Sequence, residues 1–246
     1  MELNENLKAK VANYQPDPQR IAQLRDVPIL LVVGIAGAGK DTIQRQLLAQ
    51  YPDQYSPIVT HTTRPKRENE GVMEQDGVEY HFIDFITAER MLDDHDYVEA
   101  NIVHFDNIYG TSVQEIARAG ATHKIAMADI EVKGVQQYYD LGMNIKAVFL
   151  LPPSFDVWWN RLTVRYEGNL DHEDVVKRMK TALAELEHAI RTDYFYLVIN
   201  DDLQQAVDLV NQIAHGEPVE PHHHKAMMIA EQMVTRLRAQ IAAFEK

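Results

Sequence analysis

Residues 34–42 read Gly-Ile-Ala-Gly-Ala-Gly-Lys-Asp-Thr, set between Pro28-Ile-Leu-Leu-Val-Val33 and Ile43-Gln-Arg-Gln-Leu-Leu-Ala-Gln50. The apolar, β-branched run before the glycines reads as a buried strand. The segment after them places Ile43, Leu47 and Leu48 on one side at helical spacing. The glycines therefore lie on a strand-to-helix turn. Gly34, Gly37 and Gly39, with Ala38 between the last two, let the backbone aim N–H groups at an anion, and the helix N-terminus adds partial positive charge. Lys40 can reach terminal phosphates, and a hydroxyl at the next position ordinarily helps to hold Mg²⁺. The spacing G-x-x-x-x-G-K is intact, but Asp41 takes the hydroxyl's place and Thr42 follows one residue later. A dinucleotide-binding turn would run G-x-G-x-x-G, whereas these glycines run G-x-x-G-x-G. A phosphate-binding loop is the reading.

Working outward, 246 residues suffice for one large α/β domain with appendages, and 46% hydrophobic with 25% charged residues is ordinary for a soluble protein. Twenty-four Lys and Arg against 37 Asp and Glu give a formal net charge of −13. That balance opposes broad binding to nucleic acid or anionic membrane, since both require cationic surface. With no cysteine, disulfides, thiolate zinc sites and cysteine nucleophiles are excluded. No apolar run approaches the ~20 residues of a membrane span, and the polar start lacks a signal-peptide core. A cytoplasmic location is the expectation.

Residues 1–27 are polar and carry Pro16 and Pro18, which predicts a loose arm with one short helix near Gln19–Leu24. Ser56 to Thr60 reads as a strand entering a basic corner at Arg64 and Arg67. Residues 68–79 are acidic and turn-rich, hence a mobile loop. Strands are expected at Tyr80–Ile83 and Tyr97–Ala100, with a strand or hairpin over Ile102–Tyr109. Ser112-Val-Gln-Glu115 fits a capping box. Beyond it, strands at Lys124–Asp129, Lys146–Leu151 and Tyr194–Ile199 alternate with helical segments, which indicates a parallel sheet covered on both faces. His215–Pro221 reads as a linker, and His222-His-His224 as its polar end. Ile229, Met233, Leu237, Ile241 and Phe244 then form an apolar stripe, suited to packing on its own domain or to dimerisation.

The basic corner carries a further signal. Thr60-His-Thr-Thr-Arg64-x-x-Arg67 followed by Gly77-x-x-Tyr80-x-Phe82 resembles the monophosphate-binding segment of guanylate kinases. In the family's order come Glu99, Tyr109-Gly-Thr111, Asp129-Ile-Glu131-x-x-Gly134, Pro152-Pro-Ser154, Arg161-Leu-x-x-Arg165, Lys177-Arg178 and Val198-Ile-Asn-Asp201. The resemblance spans roughly Pro28 to Gly216. It implies a P-loop NTPase-like parallel sheet with helices on both faces, a small mixed α/β monophosphate-binding insertion and a helical lid. The expected divisions are an arm at 1–27, a guanylate-kinase-like domain at 28–216 and a linker with helix at 217–246. Within the domain, the core is 28–55 and 112–216, the monophosphate-binding part 56–111 and the lid about 161–178. The implied reaction is ATP + GMP giving ADP + GDP with Mg²⁺, part of purine nucleotide metabolism, by a monomer or homodimer.

The resemblance assigns Gly34, Gly37, Ala38, Gly39, Lys40, Asp41, Thr42, Arg161 and Arg165 to ATP. It assigns Thr60, Arg64, Arg67, Tyr80, Glu99, Tyr109, Thr111 and Glu131 to GMP. Lys40, Arg64, Arg161, Arg165, Arg178 and Asp129 would act in catalysis, and Asp41 and Asp129 would hold the metal. Chemically, two arginines beside tyrosine hydroxyls can clamp a phosphate dianion. They can equally form surface ion pairs with the acidic loop beside them. Asp41 can contact Mg²⁺ or favour the helix N-terminus by its charge. The chain departs from the family pattern at Asp41, Glu131 and Lys133, in a longer 67–80 loop with Pro65 displaced, and in a longer 99–109 segment lacking a glycine. A kinase of another nucleotide or a sugar phosphate is one alternative, and a non-enzymatic binding module of the same fold another. Retention of Gly34, Gly39, Lys40, Arg161 and Arg165 argues against the module.

Overall fold

The computed structural model describes residues 3–69, 71–103, 107–165 and 172–244, without the side chains of Asn69, Arg165, His172 and 220–222. The chain divides into two compact units, Met1–Leu30 with Pro52–Ile145 and Leu31–Tyr51 with Lys146–Lys246. Strand β1 (Ile29–Gly34) contributes residues to both.

In the second unit, β1 is buried along its whole length, as its unbroken apolar run requires of a parallel strand covered on both faces. The strand order there is β11-β10-β1, with β10 (Ile145–Leu151) and β11 (Phe195–Ile199) parallel and Ala147 opposite Phe195. Helices α3 (Lys40–Gln50), α7 (Phe155–Arg165), α8 (His172–Arg191) and α9 (Leu203–Ala214) accompany these strands. The α7 N-terminus is capped by Ser154, whose Oγ accepts from the Val157 N–H, and Asp202 caps α9 through the Gln205 N–H. Residues 166–171, the middle of the expected lid, lie outside the described residues.

The last helix, α10 (Glu220–Phe244), packs along α8 and β11 of the same unit. Ala226, Ala230, Met233, Leu237 and Ile241 are its buried stripe, and Ile229 and Phe244 are half-buried at its margins. Burying a residue such as Leu237 contributes about 2 kcal/mol. Of the two uses open to this stripe, packing on its own unit is the one seen. The helix begins earlier than expected, so the histidines follow its first residues and do not end a linker.

In the first unit, β1 is followed in the sheet by β9 (Ile125–Ala128) and β2 (Tyr55–Pro57), which pair in parallel. A separate four-stranded sheet runs β6-β3-β8-β7, from β6 (His81–Phe82), β3 (His61–Thr62), β8 (Asn107–Ser112) and β7 (Tyr97–Val103). β7 and β8 form an antiparallel hairpin with Asn101 opposite Tyr109. Helices α4 (Phe85–Asp93), α5 (Val113–Gly120) and α6 (Val132–Asp140) complete it. Half of the expected capping box is present: Ser112 Oγ accepts from the Glu115 N–H at 3.2 Å, while the Glu115 carboxylate turns to the Val59 N–H and to Arg118.

Two segments are more ordered than their composition suggests. Residues 1–27 hold two helices, α1 (Glu5–Ala12) and α2 (Pro18–Leu24), where a loose arm was expected. Asn4 caps α1, and Leu7, Val11 and Tyr14 recur at helical spacing into a core with Met91, Leu92, Tyr97 and Ile108. The Tyr14 hydroxyl donates to the Tyr97 carbonyl at 2.7 Å and accepts from the Tyr97 N–H at 3.0 Å, both buried. Within 68–79, β4 (Glu68–Asn69) and β5 (Val72–Met73) pair as a small hairpin, and Glu74 beyond it is buried. Among the described residues no helix is long and apolar enough to cross a membrane.

Candidate active site

In the second unit, the turn from β1 to α3 is held from outside by its carbonyls. Trp158 Nε1 donates to the Ala36 carbonyl at 2.8 Å, and Asn200 Nδ2 to the Ala38 carbonyl at 2.8 Å. Gly39 takes a left-handed φ of +95° at the helix N-cap, and a Cβ there would run into the Asn200 amide. Only glycine meets both demands. Lys40 Nζ donates to the Gly34 carbonyl at 2.9 Å, and Arg161 Nη2 to the Asn200 carbonyl at 3.0 Å. A cavity of about 410 Å³ opens here, with Gly37, Gly39, Lys40, Asp41, Thr42 and Arg161 in its lining, closed on another side by Asn200, Asp201 and Leu203. Backbone N–H groups at a helix start, a lysine and an arginine give this cavity the chemistry of an anion site.

In the first unit, Arg64 is buried and its guanidinium makes four hydrogen bonds. Nη1 donates to Glu74 Oε2 at 2.8 Å and to the Pro65 carbonyl at 2.7 Å, Nη2 to Glu74 Oε1 at 2.9 Å, and Nε to the Tyr109 hydroxyl at 3.0 Å. The guanidinium also lies 5.2 Å from the centre of the Tyr80 ring, and the Tyr80 and Tyr109 rings meet edge to face at 5.7 Å. Burial works against the Arg64 charge, but Glu74 and Tyr109 outweigh it and hold the pKa above its ordinary value. Burial likewise raises the Glu74 carboxyl, and the Arg64 hydrogen bond and Arg67 N–H reverse this and hold it low. The ion pair foreseen with the acidic loop thus exists for Arg64 as a buried, bidentate contact, whereas Arg67 is exposed and meets Glu74 through its backbone N–H and, at longer range, its charge.

Glu99 is the second buried centre of that unit. Its Oε1 accepts from the Thr111 N–H at 3.0 Å and the Thr111 hydroxyl at 2.9 Å, and its Oε2 from Asn101 Nδ2 at 2.7 Å. Burial pushes its pKa up to about 7, moderated by Thr111 and Asn101, while the Glu131 charge adds to the rise. α6 passes close by, since a Cβ on Gly134 would sit 3.3 Å from Glu99 Oε2.

The family described as guanylate kinase matches residues 27–217 of this chain. The chain belongs to the guanylate kinase family. The guanylate kinase of Agrobacterium fabrum is 36% identical over 193 residues, 78% of this chain and 83% of its own length. Guanylate kinase 1 of rice is 32% identical over 75% of this chain, which spans 47% of that longer protein. The crystal structure of guanylate kinase from Anaplasma phagocytophilum superposes with a TM-score of 0.59 at 20% identity, covering 78% of this chain and 86% of that one. That likeness establishes the mixed α/β fold, a parallel sheet flanked by helices.

Of the residues the family resemblance assigns, the structure gathers Gly37, Gly39, Lys40, Asp41, Thr42 and Arg161 around one cavity. It gathers Arg64, Tyr80 and Tyr109 in one cluster and Glu99 with Thr111 in another. Thr60 is buried, and its carbonyl accepts from the His81 N–H. Asp129 follows β9 and is half-buried, Glu131 is the exposed N-cap of α6, and Arg178 is half-buried on α8. The Arg165 side chain lies outside the described residues. Three residues join the picture from the structure alone. Glu74 and Asn101 hold the two buried charges, and Asn200 holds the glycine loop, although its segment was already among the family matches.

Proposed function

We propose that this chain transfers the terminal phosphoryl group of ATP to GMP, giving ADP and GDP. The observation that carries the reading is the buried Glu99 carboxylate, fixed by Thr111 in a family whose acceptor is named in its relatives. Guanine offers two adjacent donors on its Watson–Crick edge, and one carboxylate can accept both. Arg64 with the Tyr80 and Tyr109 hydroxyls would take the acceptor phosphate. The glycine loop, Lys40 and Arg161 would take the phosphates of ATP, where phosphoryl transfer asks the protein for positioning and charge.

Magnesium fits the donor set of the phosphate-loop cavity. Among the described residues no cluster of three or more His, Asp or Glu could cage a metal, and Mg²⁺ usually needs only one or two carboxylates besides phosphate oxygens and water. Asp41, exposed on the cavity wall, and the Thr42 hydroxyl would supply such oxygens. Bound there, the metal would neutralise charge on the phosphates. The reading is tested by ADP release across the common nucleoside monophosphates with ATP and Mg²⁺. GMP should exceed AMP in kcat/KM by roughly 10⁴-fold, because adenine sets an acceptor against Glu99 and lacks the 2-amino group. Glu99→Ala should cost GMP far more than AMP. Equal use of the two by the wild type would overturn the guanine assignment.

A further inference from the structure

The carboxylate assigned to guanine is anchored at both oxygens, and its two anchors differ in kind. Thr111 places its two donors on Oε1 alone. The terminal torsion of a glutamate is broad, so an anchor at one oxygen leaves the plane of the carboxylate loosely set. Recognition of two parallel donors requires that plane to be fixed. The second anchor is Asn101, two residues along β7 on the same face of the strand, whose Nδ2 reaches Oε2 at 2.7 Å. Asn101 is itself held, since the same Nδ2 lies 3.2 Å from Gln137 Oε1 on α6. An ionised carboxylate only accepts, which sets the nitrogen end of the Asn101 amide towards it.

We infer that Asn101 is a positioning residue for base recognition: its amide fixes the Glu99 carboxylate, in acceptor form, in the plane that meets the guanine edge. This inference rests on the GMP reading above. It adds a residue that lies two positions from the assigned glutamate and outside the motifs that carry the family resemblance.

The same contact acts on protonation. Protonated Glu99 carries a hydrogen on one oxygen and cannot accept from both guanine donors. Burial drives the group towards that form, and the charge of Glu131 at the start of α6 drives it further. Tyr97 on β7 and Tyr138 on α6 are the other titratable neighbours, and burial raises both phenols so that they stay neutral. The donors that oppose protonation are those of Thr111 and Asn101. GMP binding should therefore weaken in acid through the Glu99 titration, and loss of the Asn101 donor should move that titration upward.

The test is calorimetric titration of the full chain with GMP and with AMP from pH 5.5 to 8.5, for wild type, Asn101→Leu and Asn101→Gln, with steady-state kinetics alongside. Wild-type affinity for GMP should rise through a midpoint near 7. Asn101→Leu, of similar shape without a donor, should raise that midpoint by about one unit and weaken GMP about tenfold at pH 7. KM for GMP should rise far more than kcat falls, with AMP affinity unmoved. Asn101→Gln, which keeps the amide, should recover part of both effects, and Asn101→Ala serves in place of Asn101→Leu if that variant does not fold. A wild type that prefers GMP beside an Asn101→Leu variant with unchanged midpoint and affinity overturns the inference alone. A wild type indifferent between GMP and AMP at every pH overturns the guanine reading and this inference with it.

Discussion

The phosphate-loop cavity and the two buried clusters around Arg64 and Glu99 are built by opposite means. The cavity joins a glycine turn to polar side chains on its walls, with a lysine resting on the carbonyl of Gly34. The two buried clusters are made largely of side chains under cover, and each charge there already has a protein counterpart: Glu74 for Arg64, and Thr111 with Asn101 for Glu99. A buried side-chain site needs internal counterparts to tolerate its own charges before a ligand arrives, because unpaired buried charge costs several kcal/mol.

This contrast can be broken at its strongest point first. Lys40→Ala should lower kcat by roughly 10²–10³-fold, the usual cost of removing one preorganised donor from a developing charge. GMP affinity, measured by calorimetry, should stay at the wild-type value. A variant that turns over normally would remove the loop from the chemistry.

Glu74→Gln sharpens the other side. It leaves the buried Arg64 guanidinium without its counter-charge, which should lower folding stability by about 3–5 kcal/mol. Because the acceptor phosphate would restore that charge, GMP should raise the melting temperature of this variant more than that of the wild type. A smaller gain in the variant would separate Arg64 from the acceptor phosphate.

The smallest expected effect lies in the pH dependence of stability. Glu99 has a folded pKa raised from 4.5 to about 7, so its favourable contribution is fully present below pH 4.5 and lost as pH rises through 7. His61 has the opposite sense: burial and then His81 lower it to about 4, so its contribution is present above 6.5 and lost as pH falls towards 4. The His61 term is common to wild type and Glu99→Gln and cancels in their difference. Chemical denaturation should show Glu99→Gln gaining on the wild type by about 2 kcal/mol between pH 5 and 8. A difference that stays flat would place the Glu99 titration elsewhere.

The loop cavity was legible because its information is local. Three glycines, a lysine and the flanking periodicity lie within twenty-odd residues, and the conformation they demand follows from their own stereochemistry. Arg64, Tyr80, Glu99, Tyr109 and Thr111 were legible through the family pattern, but their counterparts were not. Glu74 is one carboxylate among several in residues 68–79, and only burial selects it. Asn101 escaped because the strand was expected to stop at Ala100, while β7 runs on to Val103 and carries it onto the face of Glu99. In the N-terminal segment the spacing of Leu7, Val11 and Tyr14 was present, but Pro16 and Pro18 suggested a break where the chain only turns between two helices.

That turn carries Tyr14, whose hydroxyl both gives and receives a hydrogen bond at the backbone of Tyr97. The family match begins at residue 27, thirteen residues after this tyrosine. The stretch that the family matches and the stretch that folds together therefore have different borders. A chain trimmed to the shared portion would leave the Tyr97 peptide group at the root of the Glu99 strand without its phenol, and the apolar faces of Met91 and Leu92 uncovered.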